Sequence, residues 1–245
     1  MDCTIDENER PKGSDMCFSA EASFTAAASL IPAGGLSVYL AYRTDRRFVP
    51  LCTLPLLFGV QQLFEGFVWT SGAAGDLQAV QGFSAAYMFF SWLAWPVWIP
   101  FSIYFVEPVK RKPFYLVASI IGGILGAGLF LPYLVHPDWL TVKLLDNIII
   151  YGGVELFDFI AGRNLTYAAY LALIILPALL ATRREVRVFG VLIAIATMTT
   201  YAFFSYAYIS VFCFLGALMS FYLVFMIYRI RSLPQDTIHP DSIPT

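Results

Sequence analysis

Gln61, Gln62, Glu65 and Trp69 are the residues whose types and spacing point most directly to chemistry. A carboxyl group can give or take a proton, and two carboxamides beside it offer both donors and acceptors. At 100° per residue, Phe58, Gln61, Gln62, Glu65 and Trp69 share an arc of roughly 100° on a helix. The stretch around them is apolar, and an ionisable group inside a membrane span is costly unless paired, protonated or hydrated. Two readings stand. Glu65, with Gln61 and Gln62, is a catalytic or proton-handling centre, or it is a neutral carboxyl hydrogen-bonded by the glutamines to hold helices together.

The elements that must position these residues follow from composition and charge. Of 245 residues, 59% are apolar, 17% aromatic and 13% charged. A water-soluble domain carries about 25% charged residues, so much of this surface must face lipid. Seven apolar windows, near 19–42, 48–71, 83–106, 113–134, 165–182, 186–206 and 208–230, are each close to the ~20 residues that cross a bilayer. The expected fold is an all-α integral membrane protein, a bundle of seven transmembrane helices spanning residues 16–231. Residues 1–15 and 232–245 read as disordered polar tails. Between the fourth and fifth windows, residues 135–163 hold short β-branched runs around Asp146-Asn147 that end in Gly152-Gly153, which predicts a small hairpin outside the membrane. An interfacial helix over Val154–Ile160 is the competing reading of its second half.

Eleven of the fifteen basic residues fall on one side of a seven-span chain: Arg43, Arg46, Arg47, Lys110, Arg111, Lys112, Arg183, Arg184, Arg187, Arg229 and Arg231. The positive-inside rule makes that side cytoplasmic, with the N-terminus outside and the C-terminus in the cytoplasm. The expected location is a bacterial inner membrane or a plasma membrane.

Orientation then places further polar residues in the outer half. Cys17 and Glu21 begin the first span; Tyr87, Ser91, Trp95 and Trp98 share a face of the third. Thr197, Tyr201, Ser205 and Tyr208 share a face of the sixth, and Ser210, Cys213, Ala217 and Ser220 form a small-residue stripe on the seventh. The expectation is a polar, partly hydrated cavity open to the outside, centred on Glu65 and lined by Glu21, Trp69, Tyr87, Tyr201 and Ser210. Cys17 and Cys213 lie near the same depth. They form a disulfide, contribute to a thin Cys/Cys/Glu metal site, or are unrelated thiols.

Gly122, Gly123, Gly126 and Gly128 give the fourth span a surface for close helix packing, and an oligomer of like or unlike subunits is expected to use the Gly122/Gly126 face. Trp92, Trp95, Trp98 and Trp139 read as interfacial anchors. A net charge of −2 argues against nucleic acid. Two histidines and four scattered cysteines supply no haem or zinc set, and no cofactor is expected. There is no lysine in the seventh span, no HExxH, GxSxG or Walker sequence, and no obvious inverted repeat.

Met16-Cys17-Phe18-Ser19-Ala20, Pro55-Leu56-Leu57-Phe58-Gly59-Val60-Gln61-Gln62 with Glu65-Gly66 and Trp69, and Ile209-Ser210-Val211-Phe212-Cys213-Phe214 together resemble an uncharacterised family of small bacterial polytopic membrane proteins with an N-terminal Met-Cys-Phe-Ser motif. The resemblance implies a start equivalent to Met16 and places Cys17, Gln61, Gln62, Glu65 and Cys213 inside matching motifs, without implying a reaction. Three functions remain open: small-solute or proton-linked transport at Glu65, a membrane-embedded enzyme acting on a lipid or isoprenoid substrate with Glu65 as general acid, and a non-catalytic subunit of a membrane complex.

Overall fold

The computed structural model of the chain describes residues 19–145, 148–153, 162–203 and 207–232. The expected tails at 1–15 and 233–245, the Cys17 end of the first span, the Asp146-Asn147 turn and the helix reading of Val154–Ile160 lie outside them. Ser232, placed in the C-terminal tail by sequence, is still helical.

The described chain is an all-α bundle carrying one hairpin. Its helices are α1 (Ala20–Thr44), the short α2 (Val49–Cys52), α3 (Leu54–Ala73), α4 (Leu77–Met88), α5 (Trp95–Val106), α6 (Lys112–Val135), α7 (Arg163–Leu179), α8 (Arg184–Phe203) and α9 (Tyr208–Ser232). Among the described residues, six segments are long and apolar enough to cross a membrane: Ala20–Thr44, Arg46–Ala73, Leu77–Val106, Lys112–Val135, Arg184–Phe203 and Tyr208–Ser232. The chain is therefore a multi-pass membrane protein. The remaining window forms α7, a 17-residue apolar helix shorter than the other six. The third span begins at Leu77, ahead of the window near 83, because Asp76 accepts a hydrogen bond from the Ala79 N–H and caps α4 there. Gly75, at φ +71°, makes the turn into it, a conformation that favours glycine.

Between α4 and α5, Phe89–Ala94 is a π-helical turn, and its cause is visible in the sequence. Pro96 and Pro100 have no N–H, so the carbonyls of Trp92 and Pro96 lose their α-helical donors four residues on. Both orphaned carbonyls face α6 at glycines. A side chain at Gly122 would strike the Pro96 carbonyl, and one at Gly126 would come within 2.5 Å of the Trp92 carbonyl. Glycine lets the backbones close to Cα–H···O range. This corrects the expected oligomer surface: the Gly122/Gly126 face is filled from within the chain by the third span.

The loops at one end are tied together. Glu107, after α5, accepts from the Thr182 N–H and hydroxyl, both at 2.7 Å, and Arg111 donates to the Leu180 carbonyl at 2.9 Å. The basic clusters Lys110–Lys112 and Arg183–Arg187 thus meet at the same end of the bundle. Toward the other end, β1 (Leu140–Leu145) pairs antiparallel with β2 (Ile148–Gly153), Leu145 opposite Ile148. Gln81 of α4 donates to the Pro137 carbonyl at 2.5 Å and Leu144 packs on Gly72 of α3, which seats the hairpin on the bundle.

Two tryptophans differ from their reading as interfacial anchors. Trp92 and Trp95 are buried in the core. Trp95 stacks on Phe58, centroids 4.0 Å apart, and its indole N–H finds the Gln61 carbonyl oxygen, so its polar tip has no need of the membrane surface.

Candidate functional site

α3 packs against α1, α4 and α9. Close approach with α1 is set by Gly34 against Leu56, Gly59 against Ile31 and Gly66 against Phe24. The polar arc of α3 is thereby enclosed: Glu65 is 2% exposed, and Gln61 and Gln62 are fully buried. Trp69, a turn further on, is half-buried and packs against the core.

Glu65 is held by the last helix. Ser210 Oγ of α9 donates to Glu65 Oε1 at 2.5 Å. Gln62, Tyr87 of α4 and Ser23 of α1 also bear on the carboxyl. Neither polar atom of Gln62 completes a hydrogen bond within the protein, nor does the Tyr87 hydroxyl. These groups converge on the carboxyl without saturating one another. None of those bearing on it is basic, and residues 48–106 and 208–228 contain no lysine or arginine.

A second limb of the network runs through Gln61. Its amide donates to Ser91 Oγ at 2.9 Å while its oxygen accepts from Trp95 Nε1 at 3.1 Å. Ser91 Oγ is also 3.4 Å from Cys213 Sγ, and the Ser91 carbonyl accepts from the Tyr170 hydroxyl of α7. That carbonyl needs an outside donor: the Trp95 N–H bonds to Phe90, and residue 96 is a proline without an N–H. The π-turn thus places Ser91 between Gln61, Cys213 and Tyr170.

Over the cluster lies the hairpin. Tyr151 of β2 is buried and stacks on Tyr87, centroids 4.8 Å apart and 15° between planes. Burial pushes the Tyr151 phenol well above its ordinary range, with Glu65 and Cys213 adding to the effect.

The structure therefore brings together Gln61, Gln62, Glu65, Tyr87, Ser210 and Cys213 from the sequence-derived set. It does not bring Glu21 or Tyr201 to them. Glu21 sits exposed on the first turn of α1 beside Ser19. Tyr201 is 75% exposed on α8, so its reading as a lining residue is corrected. Of that stripe, Thr197 bonds back to its own helix carbonyl, and Ser205 lies outside the described residues. Cys17 lies outside the described residues. Around Glu65 the expected open cavity is instead a closed cluster.

Three participants escaped sequence reasoning: Ser23, Tyr151 and Tyr170. Ser23 had a faint signal, heading a run of buried small residues with Ala26, Ala27 and Gly34 on α1. Tyr151 shares the inward face of β2 with Ile149, as alternation along a strand requires. Among the described residues, no group of three His, Cys, Asp or Glu comes together as a metal site.

Residues 16–238 match the model of a family of unknown function (DUF6629). No curated protein and no solved structure matches the chain.

Proposed function

The chain belongs to this family of unknown function, DUF6629, and we propose that it is a seven-span membrane protein working through the Glu65 site by small-solute or proton-linked transport. One observation carries the reading: a membrane-buried carboxyl, held by Ser210 from the last helix, is surrounded by the Gln62 amide and Tyr87 phenol, which have no partners of their own. A residue that only joined helices would be saturated by its neighbours, since buried polar groups left unpaired are costly. Groups kept unpaired around a carboxyl are suited to a guest that comes and goes.

The seven-span topology supports the same reading. α7 has 17 residues, at the lower limit for a span. Counting it puts the turns carrying Arg43–Arg47, Lys110–Lys112 and Arg183–Arg187, with the Arg229–Arg231 end, on the cytoplasmic side. The hairpin is then extracytoplasmic, and Tyr151 closes the site from that side.

Flux measured in liposomes tests this. Purified protein is reconstituted with a pH-sensitive dye inside, and an outward-to-inward proton gradient is imposed. Wild-type protein should dissipate it, Glu65→Gln should not, and Glu21→Gln, changing an exposed carboxyl, should behave as wild type. Equal dye responses from wild type, Glu65→Gln and protein-free vesicles would refute the proposal.

A further inference from the structure

We infer that the Glu65 cluster binds an alkali-metal cation, coordinated by Glu65, Ser210, Gln62, Tyr87 and Ser23. The inference rests on the proposed transport reading and names the guest that the site takes in addition to a proton. All the groups bearing on the carboxyl offer oxygen: two serine hydroxyls, a phenol and a carboxamide. Hard oxygen donors without thiolate or imidazole suit alkali and alkaline-earth cations. Charge decides between them. Divalent sites gather several carboxylates, whereas no second acid is among the groups that bear on Glu65.

The burial argument leads to the same class. Among the described residues no basic group bears on an ionised Glu65, and residues 48–106 and 208–228 carry none. Charges taken out of water need compensation. A water molecule would meet hydrogen-bonding needs and leave the charge. A proton neutralises the carboxyl but supplies one donor, enough for only one of the Gln62 oxygen and the Tyr87 hydroxyl, which have no partners. A monovalent cation neutralises the carboxyl and can take lone pairs from several of these oxygens at once, since hydroxyls can rotate to present them.

Thermal unfolding of the purified full chain in detergent at pH 8 tests this, titrating NaCl, KCl or LiCl against choline chloride at constant ionic strength. A ligand that binds only the folded state raises the midpoint with its concentration. At least one alkali cation should raise it relative to choline, and Glu65→Gln should abolish the response. Ser210→Ala should need about tenfold more cation, the loss of one hydrogen-bonding ligand to a charged site. Identical responses to alkali and choline salts overturn the inference, as does a Glu65→Gln response equal to wild type. If Glu65→Gln fails to fold, an unaltered cation response in Ser210→Ala overturns it. Glu65-dependent proton flux without cation stabilisation would defeat the cation site alone; cation stabilisation without Glu65-dependent flux would defeat the transport reading alone.

Discussion

Ser210 and Glu65, 145 residues apart in the chain, share the 2.5 Å hydrogen bond that joins the last helix to the second span inside the bundle. Removing the serine hydroxyl leaves the carboxyl with its closest donor gone. Ser210→Ala should therefore lower stability by about 1–3 kcal/mol. Glu65→Gln keeps an oxygen to accept from Ser210 and should unfold within about 1 kcal/mol of wild type. Thermal unfolding of both variants in detergent checks the pair; a greater loss in Glu65→Gln than in Ser210→Ala contradicts it.

The α5–α6 contact makes a paired prediction. A methyl group at Gly122 has to displace the Pro96 backbone, whereas one at Gly123 meets only Val97 Cγ2 at 3.5 Å. Gly122→Ala should cost about 1–3 kcal/mol by overpacking and Gly123→Ala less than about 0.5 kcal/mol. Comparable midpoints for the two variants would show that the third and fourth spans are not in this contact.

Glu107 is the partner that satisfies the Thr182 backbone N–H at the turn before α8. Glu107→Ala should leave that donor and the Thr182 hydroxyl unpaired, at a cost of about 1–3 kcal/mol. Hydrogen exchange at residues 180–184 should rise while exchange in α3 stays put. Unchanged protection at Thr182 would count against the clamp.

Alkaline titration reports on the hairpin. The Tyr151 phenol is raised in the folded state by burial, first of all, and by Glu65 and Cys213. In the unfolded chain the phenol ionises near pH 10. Above that pH the unfolded state binds fewer protons than the folded state, so stability present below about pH 10 falls as pH rises, by up to about 1.4 kcal/mol per unit for this group. Tyr151→Phe should show a shallower alkaline loss than wild type. Parallel curves between about pH 9 and 11 would mean that Tyr151 is not enclosed.

The proposed topology predicts the sidedness of labels. Cysteines placed at Lys143 and Lys110 should react with a membrane-impermeant maleimide from opposite faces, Lys143→Cys from outside and Lys110→Cys only after permeabilisation. Labelling of both from one face contradicts the seven-span arrangement.

Much of the candidate site was legible in the order of residues. The polar arc of α3 and the Ser210–Cys213 stripe of α9 each declared an inward face, because helical periodicity fixes which residues share a side. Periodicity says nothing of what stands opposite. Tyr201 lies on a comparable stripe of α8 and faces outward. The Gly122/Gly126 face was recognisable as a close-packing surface, but whether the chain or a partner fills it depended on where Pro96 and Trp92 came to rest.

The sequence by itself determined that this is a multi-pass helical membrane protein with a carboxyl inside a span, because lipid demands long apolar segments and makes each buried charge conspicuous. Tertiary structure alone decided that Ser23 and a hairpin tyrosine join Gln62, Tyr87 and Ser210 around that carboxyl, and that it lies closed. Contacts between segments dozens to well over a hundred residues apart arise from packing the whole bundle at once, which no local pattern records.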